Sequence, residues 1–224
     1  MDHTIEHDPA FAQVEVELAP GEGVRAEGGA LVSHSDGVDI DTSATGGLIS
    51  SVKRSMLGGE SMFMNTFSAP DGGRVTLAPP LPGDVLVQEL AGETLYAQSG
   101  AFLAGSEAVD VDTSFGGAKT FLGGKGMFLV KLTGDGPVFL SSYGAATAID
   151  LDPGETHIVD TGHVVAFEGS VDYDVSRVGG LRSTLLSGEG LVCRLTGPGR
   201  IWVQSRSPDA FLSWLAPRLP GNDE

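Results

Sequence analysis

Cysteine is nearly missing from this chain: Cys193 stands alone among 224 residues. A lone thiol excludes an internal disulfide and any zinc site built on a cysteine cluster, and it suits a reducing compartment. Lysine is scarce too, confined to Lys53, Lys119, Lys125 and Lys131. All cations together number 13 against 30 carboxylates, a net charge of −17. Such a field repels phosphate backbones and anionic lipids, so it argues against DNA and weighs against RNA. Long hydrophobic runs are lacking as well. No stretch approaches the roughly 20 apolar residues of a membrane span. The first ten residues have neither the basic nor the apolar region of a signal peptide. Charged residues make up 19%, too few for a disordered chain of this hydrophobicity. The expectation is a soluble, acidic, cytoplasmic globular protein. Carboxylate excess with little lysine also resembles adaptation to high salt, where counter-ions screen self-repulsion.

What is abundant is glycine, with 33 residues, and the glycines follow a pattern. Pro20-Gly21-Glu22 returns as Ala91-Gly92-Glu93 and as Pro153-Gly154-Glu155. Gly29-Ala30-Leu31-Val32 is echoed by Gly100-Ala101-Phe102-Leu103 and Gly162-His163-Val164-Val165. Val38-Asp39-Ile40-Asp41, Val109-Asp110-Val111-Asp112 and Val171-Asp172-Tyr173-Asp174 follow, each trailed by a glycine pair at 46–47, 116–117 or 179–180. Apolar runs then open after Gly59, Gly124 and Gly188, and Val75-Thr76-Leu77, Val138-Phe139-Leu140 and Ile201-Trp202-Val203 close the units. Six landmarks in one order mark an internal triplication, at about residues 14–83, 84–145 and 146–207.

Within a unit, Val14, Val16 and Leu18 alternate with Glu15 and Glu17, the period-two signature of a half-buried strand. The Val-Asp-X-Asp runs alternate in the same way. Dense turns between short strands predict an all-β fold. Strands this short bury no face alone, so the units are expected to pack in a pseudo-threefold body around a shared core. Residues 1–13 read as a flexible N-terminus. The segment 208–224 reads as a helix and tail: Ser207 suits an N-cap, Pro208 the first turn, and Pro217 a stop. Phe211, Leu212, Trp214 and Leu215 are expected to dock on the β body as a lid.

Residues 58–67 (Gly-Gly-Glu-Ser-Met-Phe-Met-Asn-Thr-Phe) and the run from Gly188 to Ser207 resemble signatures of the AIM-type (altered inheritance of mitochondria) family. Its prokaryotic members were long a domain of unknown function. The resemblance implies a β fold like that of the tryptophan-RNA-binding attenuation protein, of β-sandwich or β-helix type, repeated three times and often trimerised. It implies no catalytic residues.

Chemistry is sparse. His157 and His163 in a β-rich region faintly suggest a cupin metal site, but the His-X-His of that motif is missing, and His163 sits where Ala30 and Ala101 stand in the sister units. His34 is isolated, and His3 and His7 lie near the terminus. Cys193, between Val192 and Arg194 in an apolar strand, reads as a buried inert thiol. No Gly-X-Ser-X-Gly and no phosphate-binding loop occurs. The Asp pairs are the notable polar feature: Asp39 with Asp41, Asp110 with Asp112, and Asp172 with Asp174. Residues two apart on a strand face one side, about 6–7 Å apart, and six carboxylates near one axis would suit Ca²⁺. Equally, they make a solvated strand face. The first unit also carries an insertion, Ser50 to Leu57, whose Lys53, Arg54, Met56 and Leu57 combine charge with flexible apolar surface. These four are candidates for binding a protein partner; peripheral contact with a membrane surface is the weaker version.

No catalytic residue and no cofactor is expected. The leading reading is a non-enzymatic structural or scaffolding protein that forms a homo-oligomer, a trimer by the resemblance. A cupin-like small-molecule or metal-binding protein is the alternative, and an RNA-binding module the second, by fold analogy alone.

Overall fold

The computed structural model describes residues 1–44, 63–113, 121–122, 125–177 and 191–219. Among the described residues the chain is built of β-strands with one short α-helix. β1 (Asp2–Glu6) precedes the first unit, which holds β2 (Gln13–Leu18), β3 (Glu22–Glu27), β4 (Leu31–His34), β5 (Asp39–Ala44), β6 (Phe63–Ala69) and β7 (Gly73–Leu77). The second holds β8 (Val85–Ala91), β9 (Leu95–Gln98), β10 (Phe102–Ser106), β11 (Val109–Asp112), the small β12 (Phe121–Leu122) and β13 (Lys125–Gly126), and the long β14 (Leu129–Ser141). The third holds β15 (Ala146–Leu151), β16 (Thr156–Asp160), β17 (Val164–Glu168), β18 (Asp172–Arg177), β19 (Leu191–Thr196) and β20 (Gly199–Gln204), followed by α1 (Pro208–Leu215).

The units share one pairing scheme, antiparallel throughout. In the first, β2 and β4 flank β7 while β3 and β5 flank β6. In the third, β15 and β17 flank β20 while β16 and β18 flank β19. In the second, β14 serves as both central strands: its C-terminal part takes β8 and β10, its N-terminal part β9 and β11. A register shift recurs at one position, between Leu31 and Ser33, Phe102 and Ala104, and Val164 and Ala166. Two further pairings join the units: β10 with β3, and β17 with β9.

These joints revise the expected shared core. A closed threefold body needs a third joint, between β4 and β16. Among the described residues β4 pairs only with β7, and β16 only with β19. The units therefore stand in an open row with three cores. The first, around Val14, Val16, Phe67 and Leu77, also takes in Leu103 and Phe139 of the second unit. The second, around Phe102, Leu132 and Leu140, takes in Val165 and Trp202 of the third. The last is built on Phe167, Cys193, Leu195 and Ile201, with Met127 and Leu129 from the second. Each core is thus completed by its neighbour, because a three-stranded half-sheet leaves its next row of side chains uncovered.

Two other expectations need correction. The N-terminus read as flexible over 1–13 forms β1 over its first half, paired with β2 from Asp2 opposite Glu17 to Glu6 opposite Gln13. Met1 and Ile5 pack against the first core, and the His3 ring meets Phe139 edge-on at 5.2 Å, so inward side chains hold the strand down. The helix begins as expected, with Ser207 Oγ accepting from the Ala210 amide at 3.4 Å. As a lid it fails: no residue of α1 is buried. Phe211 meets Tyr143 edge-on at 6.0 Å, while Leu212 and Trp214 face solvent.

Candidate interaction site

The expected site residues do not converge. Asp39 and Asp41 lie on β5, Asp110 and Asp112 on β11, and Asp172 and Asp174 on β18, strands that belong to separate sheet halves. Five of the six are exposed and Asp112 is half-buried. Opposite them across the ladder stand Ser68, Thr66, Thr133, Lys131, Thr196 and Arg194. Two basic residues thus face carboxylates, an ordinary cross-strand charge arrangement. Among the described residues no three His, Cys, Asp or Glu side chains group as a metal site would. His157 is exposed on β16, whereas His163 is half-buried in a turn, with Nδ1 2.7 Å from the Gln204 carbonyl oxygen. That bond ties the turn to β20. Lys53, Arg54, Met56 and Leu57 lie outside the described residues.

Cys193 is fully buried between Val159 and Val175 on the neighbouring strands. Burial, and then the nearby Asp174 charge, push its thiol up to about 12. The native protein should therefore not react with a thiol reagent at pH 8, and one equivalent should react in denaturant; fast labelling of folded protein would contradict this. The sign for stability follows. Below the unfolded-state value of 9.0 both states keep the proton, and the thiol then draws stability away as pH rises toward about 12. Elsewhere, Arg200 grips Asp150 at 2.6 and 3.1 Å and holds that carboxyl below its usual range, on an exposed strand pair. Burial raises Asp84, whose Oδ1 accepts from the Val85 amide.

A cleft of about 80 Å³ lies where the links between units meet, lined by Pro80, Gln98, Ala101, Tyr143 and Gln204. Ligand pockets usually offer at least about 300 Å³, so this one holds little beyond a few waters.

The joints carry more chemistry than the cleft. At the first, Arg25 of β3 reaches across to the second unit and donates from Nη2 to the carbonyls of Glu107 and, at 2.7 Å, Val109. At the second, the residue in the same repeat position is Tyr96, whose ring lies 5.4 Å from Phe167 and 6.2 Å from Tyr173 of the third unit. The third unit has Ile158 there, exposed. Sequence reasoning missed these joint residues, since only pairing between units gives the position its meaning.

This architecture is shared with known proteins. The family described as mitochondrial biogenesis AIM24 matches residues 3–206. The chain belongs to the AIM24 family. An uncharacterized protein of Streptococcus pyogenes serotype M6 is 33% identical over 98% of this chain and 92% of its own length. An X-ray crystal structure of a Streptococcus pyogenes protein superposes with a TM-score of 0.83 at 31% identity, covering 97% of this chain and 99% of that one. The AIM24 match spans all three units and stops before α1. Among the described residues no helix is long and apolar enough to cross a membrane.

Proposed function

We propose that this protein is a non-enzymatic structural scaffold that works as a homo-oligomer, with three chains as the favoured number. One observation supports it above others: the units are joined edge to edge, and the row ends in two half-sheets whose outer strands carry apolar side chains. Exposed strand edges recruit further strands, and head-to-tail contacts between unlike ends close into a ring when the rotation permits. Three is the number implied by the resemblance to the AIM-type family. The assembled body then presents its faces to a protein partner, in keeping with an acidic surface that disfavours nucleic acid. The net charge of −17 opposes association, so salt strengthens it.

Light scattering tests this reading. Three 23.1 kDa chains give about 69 kDa, expected at molar salt with tens of micromolar protein and falling at millimolar salt. The monomer mass at both salt concentrations would overturn the reading.

A further inference from the structure

We propose that the half-sheet ending at β4 and the half-sheet ending at β16 join between two copies of this chain, with β4 antiparallel to β16, Ser33 opposite Val159 and His34 opposite Ile158. This rests on the scaffold reading and deepens it by naming the surface and the partner, a second copy.

The template is inside the molecule. At each interior joint, three strands of one unit meet three of the next to make six in the order β8-β14-β10-β3-β6-β5 and again β15-β20-β17-β9-β14-β11. What remains is β2-β7-β4 at one end, with β1 outside it, and β16-β19-β18 at the other. These remainders are the two complementary halves of one more such sheet.

Register follows from the repeat. Ala104 faces Ala26 and Gly105 faces Arg25 at the first joint; Ala166 faces Ala97 and Phe167 faces Tyr96 at the second. Ser33 and His34 occupy the positions of the first residue in each pair, and Val159 and Ile158 those of the second.

Exposure says which side chains await cover. Val32 is 55% exposed, whereas its repeat equivalents Leu103 and Val165 are 1% and 0% exposed because a neighbouring unit covers them. Ile158 is 55% exposed and Ile40 45%. Their equivalents at the second joint, Tyr96 and Tyr173, lie against each other. Joining β4 to β16 places Ile158 of one copy beside His34 and Ile40 of the next, and Val32 over the third core, whose Val159 and Val175 are still slightly open. Pairing also gives the outward backbone groups of both strands partners in place of water.

The test is a disulfide between copies. Antiparallel neighbours bring Cα atoms within about 4.5–5.5 Å, inside disulfide range. A His34→Cys, Ile158→Cys double variant, oxidised with diamide under conditions where light scattering shows the oligomer, should give covalent species above the monomer on a non-reducing gel. Cys193 is buried and does not compete. A His34→Cys, Thr156→Cys variant, two residues out of register, should stay at the monomer mass. As a second readout, Ile158→Asp alone should shift the scattering mass to the monomer. An oligomer without the His34–Ile158 crosslink, equal crosslinking by the offset pair, or a disulfide closed within one chain overturns this joint and leaves the scaffold reading standing. Monomer mass for the unaltered chain under every condition overturns both.

Discussion

Phe139→Ala is expected to lower the unfolding free energy by about 3–5 kcal/mol, the usual loss for a large aromatic deleted from a tight core. Phe139 is fully buried on β14, where that strand is flanked by β8 and β10. It belongs to the second unit yet packs in the first core, and the His3 ring rests on it. One deletion therefore loosens a core, a joint and the N-terminal strand together. Urea unfolding followed by fluorescence measures the effect. A shifted midpoint with unchanged slope means that the row still unfolds as one unit; a reduced slope means that the first unit has come apart from the second. A loss below about 1 kcal/mol would show that the joint does not depend on this ring.

Gly134→Val should be nearly as damaging, by about 3 kcal/mol or more, for a backbone reason. In the first and third units, two strands joined by a turn do the work that β14 does alone: β6 then β7, and β19 then β20. β14 instead runs through from one sheet half to the other, with Gly134 at φ 111° and Gly136 at φ 108°. That region is open to glycine and strained for any residue with a Cβ. A Cβ on Gly134 would also lie 2.2 Å from the Ala108 carbonyl oxygen, where the β10–β11 turn crosses. Gly92 makes the control, with φ 93° but no atom within 4 Å of a Cβ. Gly92→Ala should cost about 1 kcal/mol, the backbone strain alone. Equal midpoints for the two variants in urea would refute the crossing argument.

How far the fold could be read in advance depended on where each cause lies. Alternation at Val14, Val16 and Leu18 reports local burial, and β2 alternates as that pattern requires. The Val-Asp-X-Asp runs became β5, β11 and β18 for the same reason, and Ser207 capped α1 because capping is a local hydrogen bond. β1 escaped because Ile5 is its one large inward hydrophobic, too little pattern to outweigh its place at the terminus. The helix failed as a lid because Leu212 and Trp214 are apolar yet face away from the β body. Most instructive is Val32. Its sequence surroundings match those of Leu103 and Val165, but its burial differs, since among the described residues no neighbouring unit pairs with β4 to cover it. That difference comes from topology, and no local pattern encodes it. The Asp pairs show the converse: a strict repeat in sequence places like residues at like positions in successive units, which here lie on separate sheet halves rather than around one axis.

Hydrogen exchange at the two outer strands addresses the central claim most directly, because it reads the edges themselves. Amides of β4 and β16 that point away from β7 and β19 have no backbone partner among the described residues. At molar salt and tens of micromolar protein they should exchange slowly, and dilution to the monomer should make them fast, while β3 and β9 keep their protection at every concentration. Exchange in β4 and β16 that stays fast and unchanged across the whole dilution series would contradict assembly through these edges.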